Sequence, residues 1–239
     1  MIEIKKLWNR TDQPILTYII AITCLLDTFS IYFFPNLNLI LNAENHIQYP
    51  WQRFLAIFAH GAGNTPIFMH LFGNLIGLLI FGCLTEKLIG IVRYAILTVA
   101  CVIVFLLHFT ITNGYGNGVS VIAWGVLPFG AYIIVHNSTP SVKTLLSKFH
   151  IIMITLLIWA WFVFPLAIGP NRYHETSTFI GCTFLFLFKR IISQRYYCIM
   201  EEININESKI VRYFVAGIFM LVPVFVILLI TSHYIGILR

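Results

Sequence analysis

The sequence predicts an all-α bundle that crosses a membrane several times. Three observations predict it. Of 239 residues, 59% are hydrophobic and only 10% are charged, and no soluble domain of this size needs so little charge. The apolar residues gather into runs close to the length a helix needs to cross the hydrocarbon core. Short polar stretches between the runs hold most of the Lys and Arg. At about 20 residues per span plus loops, there is room for six or seven spans.

Residues 1–14 are polar and basic, with Lys5, Lys6 and Arg10. The first span is expected at about Ile15 to Phe34, where Pro35 ends it. Residues 36–66 mix Asn, Gln, Pro, Trp51 and Arg53 with an apolar piece too short to cross, which fits an interfacial loop. The second span covers about Ile67 to Leu84 and the third about Tyr94 to Thr112. The Gly/Asn-rich stretch 113–118 is a turn. The fourth span runs from about Val119 to Val135, with a kink at Pro128. A fifth lies at about Ile151 to Ile168, where Trp159, Trp161 and Phe164 fit an aromatic belt. The sixth covers about Thr176 to Phe188. A polar linker over 191–210 leads to a seventh, at about Val211 to Ile235.

The net charge of +6 reports orientation rather than a nucleic-acid partner. With the N-terminus cytoplasmic, twelve of the 15 Lys and Arg residues fall inside, and only Arg53, Arg172 and Arg239 fall outside. That bias supports seven spans with the N-terminus in and the C-terminus out, in a plasma membrane. The five cysteines have irregular spacing and form neither a disulfide framework nor a metal-ligand pattern. The first apolar run is long and no small-residue cleavage site follows it, so no cleavable signal is expected.

This topology places four polar residues at one depth. His70 and Asn74 lie one turn apart on one face of the second span. Ser120 opens the fourth span and His174 immediately precedes the sixth. All three spans run the same way. Polar groups inside a membrane are costly unless they meet a partner or line a wet cavity. Gly73 with Gly77, and Ser177 with Gly181, form small-xxx-small pairs that let helices approach closely. Serine needs a base to become a nucleophile, and histidine is the usual one. Attack on a carbonyl creates an oxyanion that needs preorganised donors. Ser120, His174, His70 and Asn74 supply each part, and the Ser120 N–H at a helix start adds a donor. Glu86, at the other end of the second span, is structural on this reading. Asp27 is a lone acid in the first span and faces the bundle or the interface.

Over about residues 50 to 185 the chain resembles the rhomboid family of intramembrane serine proteases. Trp51-Gln52-Arg53 is similar to the Trp-Arg element of the family's first loop, with one residue inserted. His70 to Asn74 matches its H-x-x-x-N, and Gly82 to Gly90 its G-x-x-x-E-x-x-x-G. Gly118-Val119-Ser120 begins its G-x-S-G, and Trp124-Gly125 fits the continuation. His174, Ser177 and Gly181 resemble H-x-x-G-x-x-x-G. Val121 and Ser177 stand where the family has glycine.

The resemblance implies a six-helix catalytic bundle over residues 15–190, with one added C-terminal transmembrane helix at 211–239. It implies Ser120 as nucleophile, His174 as general base and acid, and His70 and Asn74 at the oxyanion. The substrate would be another protein's transmembrane segment, cut near the outer leaflet. No metal or organic cofactor is implied, and the oligomeric state stays open. Two rival readings remain: a silent rhomboid-like protein that binds transmembrane clients, for which Val121 argues, and a transporter or channel, for which Asp27 and the membrane histidines argue.

Overall fold

Each long helix starts and stops where the backbone chemistry requires it. The computed structural model describes residues 8–9, 11–41, 51–60, 67–111, 116–137, 172–201, 203 and 205–236. Helix α1 (Ile15–Phe33) starts after Pro14 and stops before Phe34-Pro35. A residue preceding proline is pushed out of the helical region, so Phe34 cannot continue it. A short turn leads to α2 (Asn38–Leu41), and α3 (Gln52–Leu55) follows. Helix α4 spans Ile67–Ile89 and is widened to a π-helix over Leu78–Gly82. It ends at Gly90, whose φ of +85° is a backbone state that favours glycine. Helix α5 covers Ile91–Ile111, α6 Ser120–Asn137, α7 Arg172–Leu187, α8 Lys189–Met200 and α9 Lys209–Tyr234.

The fold is an all-α membrane bundle, with no strand among the described residues. Helices α1, α4, α5 and α9 are each long and apolar enough to cross a membrane. The apolar parts of α6 and α7, Ser120–Gly130 and Thr176–Leu187, are shorter. The expected fifth span and its aromatic belt lie outside the described residues. Helix α4 runs on through Glu86 and Lys87, with Glu86 near its end as expected, and both charges find partners there. Two boundaries differ from expectation. Helix α7 starts at Arg172, so His174 sits inside its first turn rather than before it. The polar stretch after residue 190 carries most of α8.

Helix α6 packs against α4, α5 and α7. Val119 just before it and its Val121, Ile122, Val126 and Phe129 are buried with Leu71, Leu75 and Leu78 of α4 and with Tyr94, Leu97, Cys101 and Phe105 of α5. Between helices already in lipid, close packing replaces water exclusion as the driving force, so small residues set the distance. A methyl on Gly181 would collide with the Gly125 carbonyl oxygen, and one on Gly125 with Cys101 Sγ. Helices α6 and α7 therefore touch backbone to backbone. Gly73 is different: a methyl there would meet nothing within 4 Å, and one on Gly77 would meet only Ala123, at 3.9 Å. The expected close contact of α4 is not made at Gly73, because that position is exposed on the bundle's surface.

At one end of the bundle, charged residues close helix termini that belong to distant parts of the chain. The first N–H groups of a helix have no partner within it, and a carboxylate suits them and the positive end of the dipole. Glu86 accepts from the Leu16 and Thr17 N–H groups at 2.9 and 2.8 Å and from Thr17 Oγ1 at 2.8 Å, which caps α1. Glu207 accepts from the Ile91 N–H at 2.8 Å, which caps α5. Lys87 Nζ donates to the carbonyls of Trp8, Thr11 and Asp12 and to Thr11 Oγ1. Arg212 pairs with Asp12 at 3.0 Å.

At the opposite end, α9 joins a second apolar cluster. Its Val226 and Leu229 are buried with Ile31 of α1, with Leu37, Ile40 and Leu41, and with Leu55 and Ala59 around α3. Trp51 meets Phe225 edge to face at 5.9 Å, and Phe34 meets Tyr234 at 5.3 Å.

Candidate active site

Ser120 is the first residue of α6 and is 4% exposed. The approach to it is fixed from the 56–60 segment. Gly118 donates its N–H to the Ala56 carbonyl at 2.9 Å, and Val119 donates its N–H to His60 Nε2 at 3.4 Å. Gly118 has φ +102°, which strains any other residue. A methyl there would also stand 3.3 Å from both Asn74 Nδ2 and the His60 ring. Glycine is needed twice over, for the turn and for the close approach.

His174 comes to Ser120 from the first turn of α7. Its Nε2 lies 2.7 Å from Ser120 Oγ, the distance at which a hydroxyl donates to a neutral imidazole. The indole of Trp124 stacks on the His174 ring, centroids 5.7 Å apart and planes at 30°. One turn later, Thr178 Oγ1 donates to the His174 carbonyl at 3.0 Å. Val121 is fully buried in the core cluster, and the serine and histidine meet with the valine in place.

The tautomer of His60 follows from its partners. A backbone N–H only donates, so Nε2 must accept from Val119 and the proton sits on Nδ1. From there it faces the Phe58 carbonyl at 3.0 Å, with Thr28 Oγ1 at 3.3 Å. The His60 N–H donates to Thr28 Oγ1 at 3.1 Å, so α1 holds this segment too. Burial drives the His60 pKa from its ordinary 6.5 to about 3; the nearby His70 adds to this, and the bond to Phe58 opposes it. His60 is therefore neutral near pH 7, as its role as acceptor requires.

His70 stands edge-on to His60, ring centroids 5.1 Å apart. Asn74 Nδ2 is buried and has no hydrogen-bond partner among the described residues. An orphaned buried donor is costly and calls for an explanation. Here it lies against Gly118, two residues before the serine. Asp27 is fully buried against the bundle, with both carboxyl oxygens unpartnered among the described residues.

The arrangement thus offers a nucleophile, a base within reach, and an unused donor beside the backbone turn that leads into the nucleophile. Spacing is the signal that could have found Trp124: it lies four residues after Ser120, on the same helix face, and so meets the same partner. His60 had no such signal, because its contacts depend on how the loop folds.

A model of the Rhomboid domain matches residues 48–194, more than half of the chain. No curated protein matches it. The matched stretch contains His60, His70, Asn74, Ser120 and His174 and leaves out α1 and α9.

Proposed function

The chain belongs to the rhomboid family, and from that premise we propose that it is an intramembrane serine endopeptidase acting on transmembrane segments of other proteins. The single observation that carries this reading is the 2.7 Å separation of Ser120 Oγ and His174 Nε2. Ser120 attacks the scissile carbonyl carbon while His174 Nε2 takes the hydroxyl proton. The carbonyl oxygen becomes an oxyanion and receives hydrogen bonds from Asn74 Nδ2, from His70 and from the Ser120 N–H. His174 then returns the proton to the leaving amine. Water, deprotonated by His174, attacks the ester carbonyl and frees Ser120 for the next cycle. The unpartnered Asn74 Nδ2 supports the oxyanion assignment, since an open donor is what a charge formed only during reaction requires.

The basic residues orient the protein. The end that holds Glu86, Lys87 and Arg212 faces the cytoplasm of a cell whose plasma membrane the bundle spans, and the Ser120 end faces outward. Substrates are therefore cut near the outer leaflet, and they reach the site through the lipid.

The test is cleavage of a transmembrane reporter in liposomes, alongside labelling by a fluorophosphonate probe, which uses the same attack and the same base. The parent protein cleaves and labels, and Ser120→Ala does neither. Val121 stands in place of the family's glycine and is the feature that favours a client-binding protein instead. If the folded parent neither labels nor cleaves while Val121→Gly does both, that second reading replaces the first.

A further inference from the structure

The residues that fix the approach to Ser120 are themselves held from behind. Ala56 and His60 accept the Gly118 and Val119 N–H groups. Their neighbours Leu55 and Ala59 are both 0% exposed and pack in the cluster that Val226 and Leu229 of α9 complete. Val222 of α9 and Phe54 of the 51–60 segment border this cluster and the main core alike. Apolar packing is contiguous from α9 to the carbonyl and imidazole that position the turn before the nucleophile.

At its other end α9 is pinned. Glu207, two residues before the helix, accepts from the Ile91 N–H at 2.8 Å and donates its own N–H to Asp12 Oδ2 at 2.7 Å. Arg212, in the first turn, bonds Asp12 Oδ1 at 3.0 Å and the Gln13 carbonyl at 3.0 Å. The helix cannot slide along α1 without breaking these bonds. Well-packed apolar contacts have discrete arrangements rather than a continuous range, so a fixed helix imposes a position on what it packs against.

We infer that α9 is a brace: Val226 and Leu229 hold the 55–60 segment, and through it the Gly118 and Val119 backbone, where the nucleophile needs them. They are positioning residues, and neither touches the dyad. The brace lies outside residues 48–194, so the matched domain is supported by a helix it does not itself contain. The catalytic readout of this inference rests on the protease reading, and the test therefore includes one readout that does not.

The full chain is compared in liposomes with Leu229→Ala, Val226→Ala and Leu229→Met, and with the control Leu228→Ala at a 57% exposed position. Three quantities are read below the melting temperature: the rate of fluorophosphonate labelling of Ser120, kcat and KM for the reporter, and amide exchange over residues 116–122. Leu229→Ala lowers labelling and kcat about tenfold with KM unchanged, within the range reported for coupling at a distance, and the Gly118 and Val119 amides exchange faster. Leu229→Met keeps the volume and restores all three. Leu228→Ala behaves as the parent. Parental labelling and exchange in folded Leu229→Ala, or an equal loss in Leu228→Ala, overturn the brace. If Leu229→Ala does not fold, Val226→Ala removes less and is read the same way. A folded parent that does not label at all refutes the protease reading, and amide exchange then decides the brace alone.

Discussion

The two ends of the bundle treat their polar groups in opposite ways. At the Glu86 end they are closed off. One carboxylate receives three hydrogen bonds, the three N–H groups of one ammonium face four acceptors, and a second carboxylate caps α5. At the Ser120 end a buried amide donor is left open, and the turn before Ser120 is fixed by one bond to a backbone carbonyl at 2.9 Å and one to the His60 ring at 3.4 Å. The first arrangement spends Glu86, Lys87, Glu207 and Arg212 on holding helices together. On the proposed reading, the second withholds one for a charge that exists only during reaction. The bonds that close helix termini and the donor kept for the reaction thus lie, on the protease reading, at opposite ends of the bundle.

The separation can be broken most sharply at Asn74. Asn74→Ala should lower reporter turnover by about 10²–10³-fold, the usual cost of losing one oxyanion donor. Its melting temperature should hold or rise, because the lost amide leaves no partner behind and its burial was unfavourable. Turnover at the parental rate from a variant that melts lower would make the two ends alike. Glu86→Ala is the mirror experiment. Losing three hydrogen bonds to a buried carboxylate should destabilise by about 3 kcal/mol or more, seen as a lower denaturation midpoint, while the molecules that remain folded turn over within about twofold of the parent rate. A large fall in kcat for folded Glu86→Ala would show that the far end reaches the chemistry.

The smallest effect sharpens the comparison within the Ser120 end. Burial holds the His60 pKa at about 3 against an ordinary 6.5. Below the ordinary value the unfolded chain binds a proton that the folded chain refuses. Stability from this group is complete above that value and is lost as pH falls toward the folded value, by about 1.4 kcal/mol per pH unit in mid-window. Denaturation midpoints measured across that window should show the slope, and His60→Gln should remove it. A slope that persists in His60→Gln assigns the pH dependence to another group.

Much of this was legible in the sequence because membranes simplify it. Apolar length located the described spans, and polar residues inside apolar runs marked Ser120, His174, His70 and Asn74 for attention. What stayed hidden depended on distant partners. The partners of Glu86 were hidden, since nothing in the sequence shows that the start of α1, about 70 residues earlier, needs its charge. The bond from Val119 to His60 spans 59 residues and depends on how a loop folds back. Small-residue spacing named Gly73 and Gly181 alike. Only packing distinguishes a glycine on an exposed helix face from one pressed against a neighbouring carbonyl.

The contact between Gly125 and Gly181 also works as a fulcrum. Gly125 lies five residues beyond Ser120 and Gly181 seven beyond His174, so the dyad sits about 8–10 Å up from the point where the two helices touch. At that radius a relative tilt of about 3° carries the hydroxyl about half an ångström, which is the whole tolerance of a reacting constellation. The distance between Ser120 and His174 therefore depends on the angle between the helices as well as on the two rotamers. Whatever shifts that angle shifts the distance, and for a helix in lipid the thickness of the surrounding bilayer is part of it.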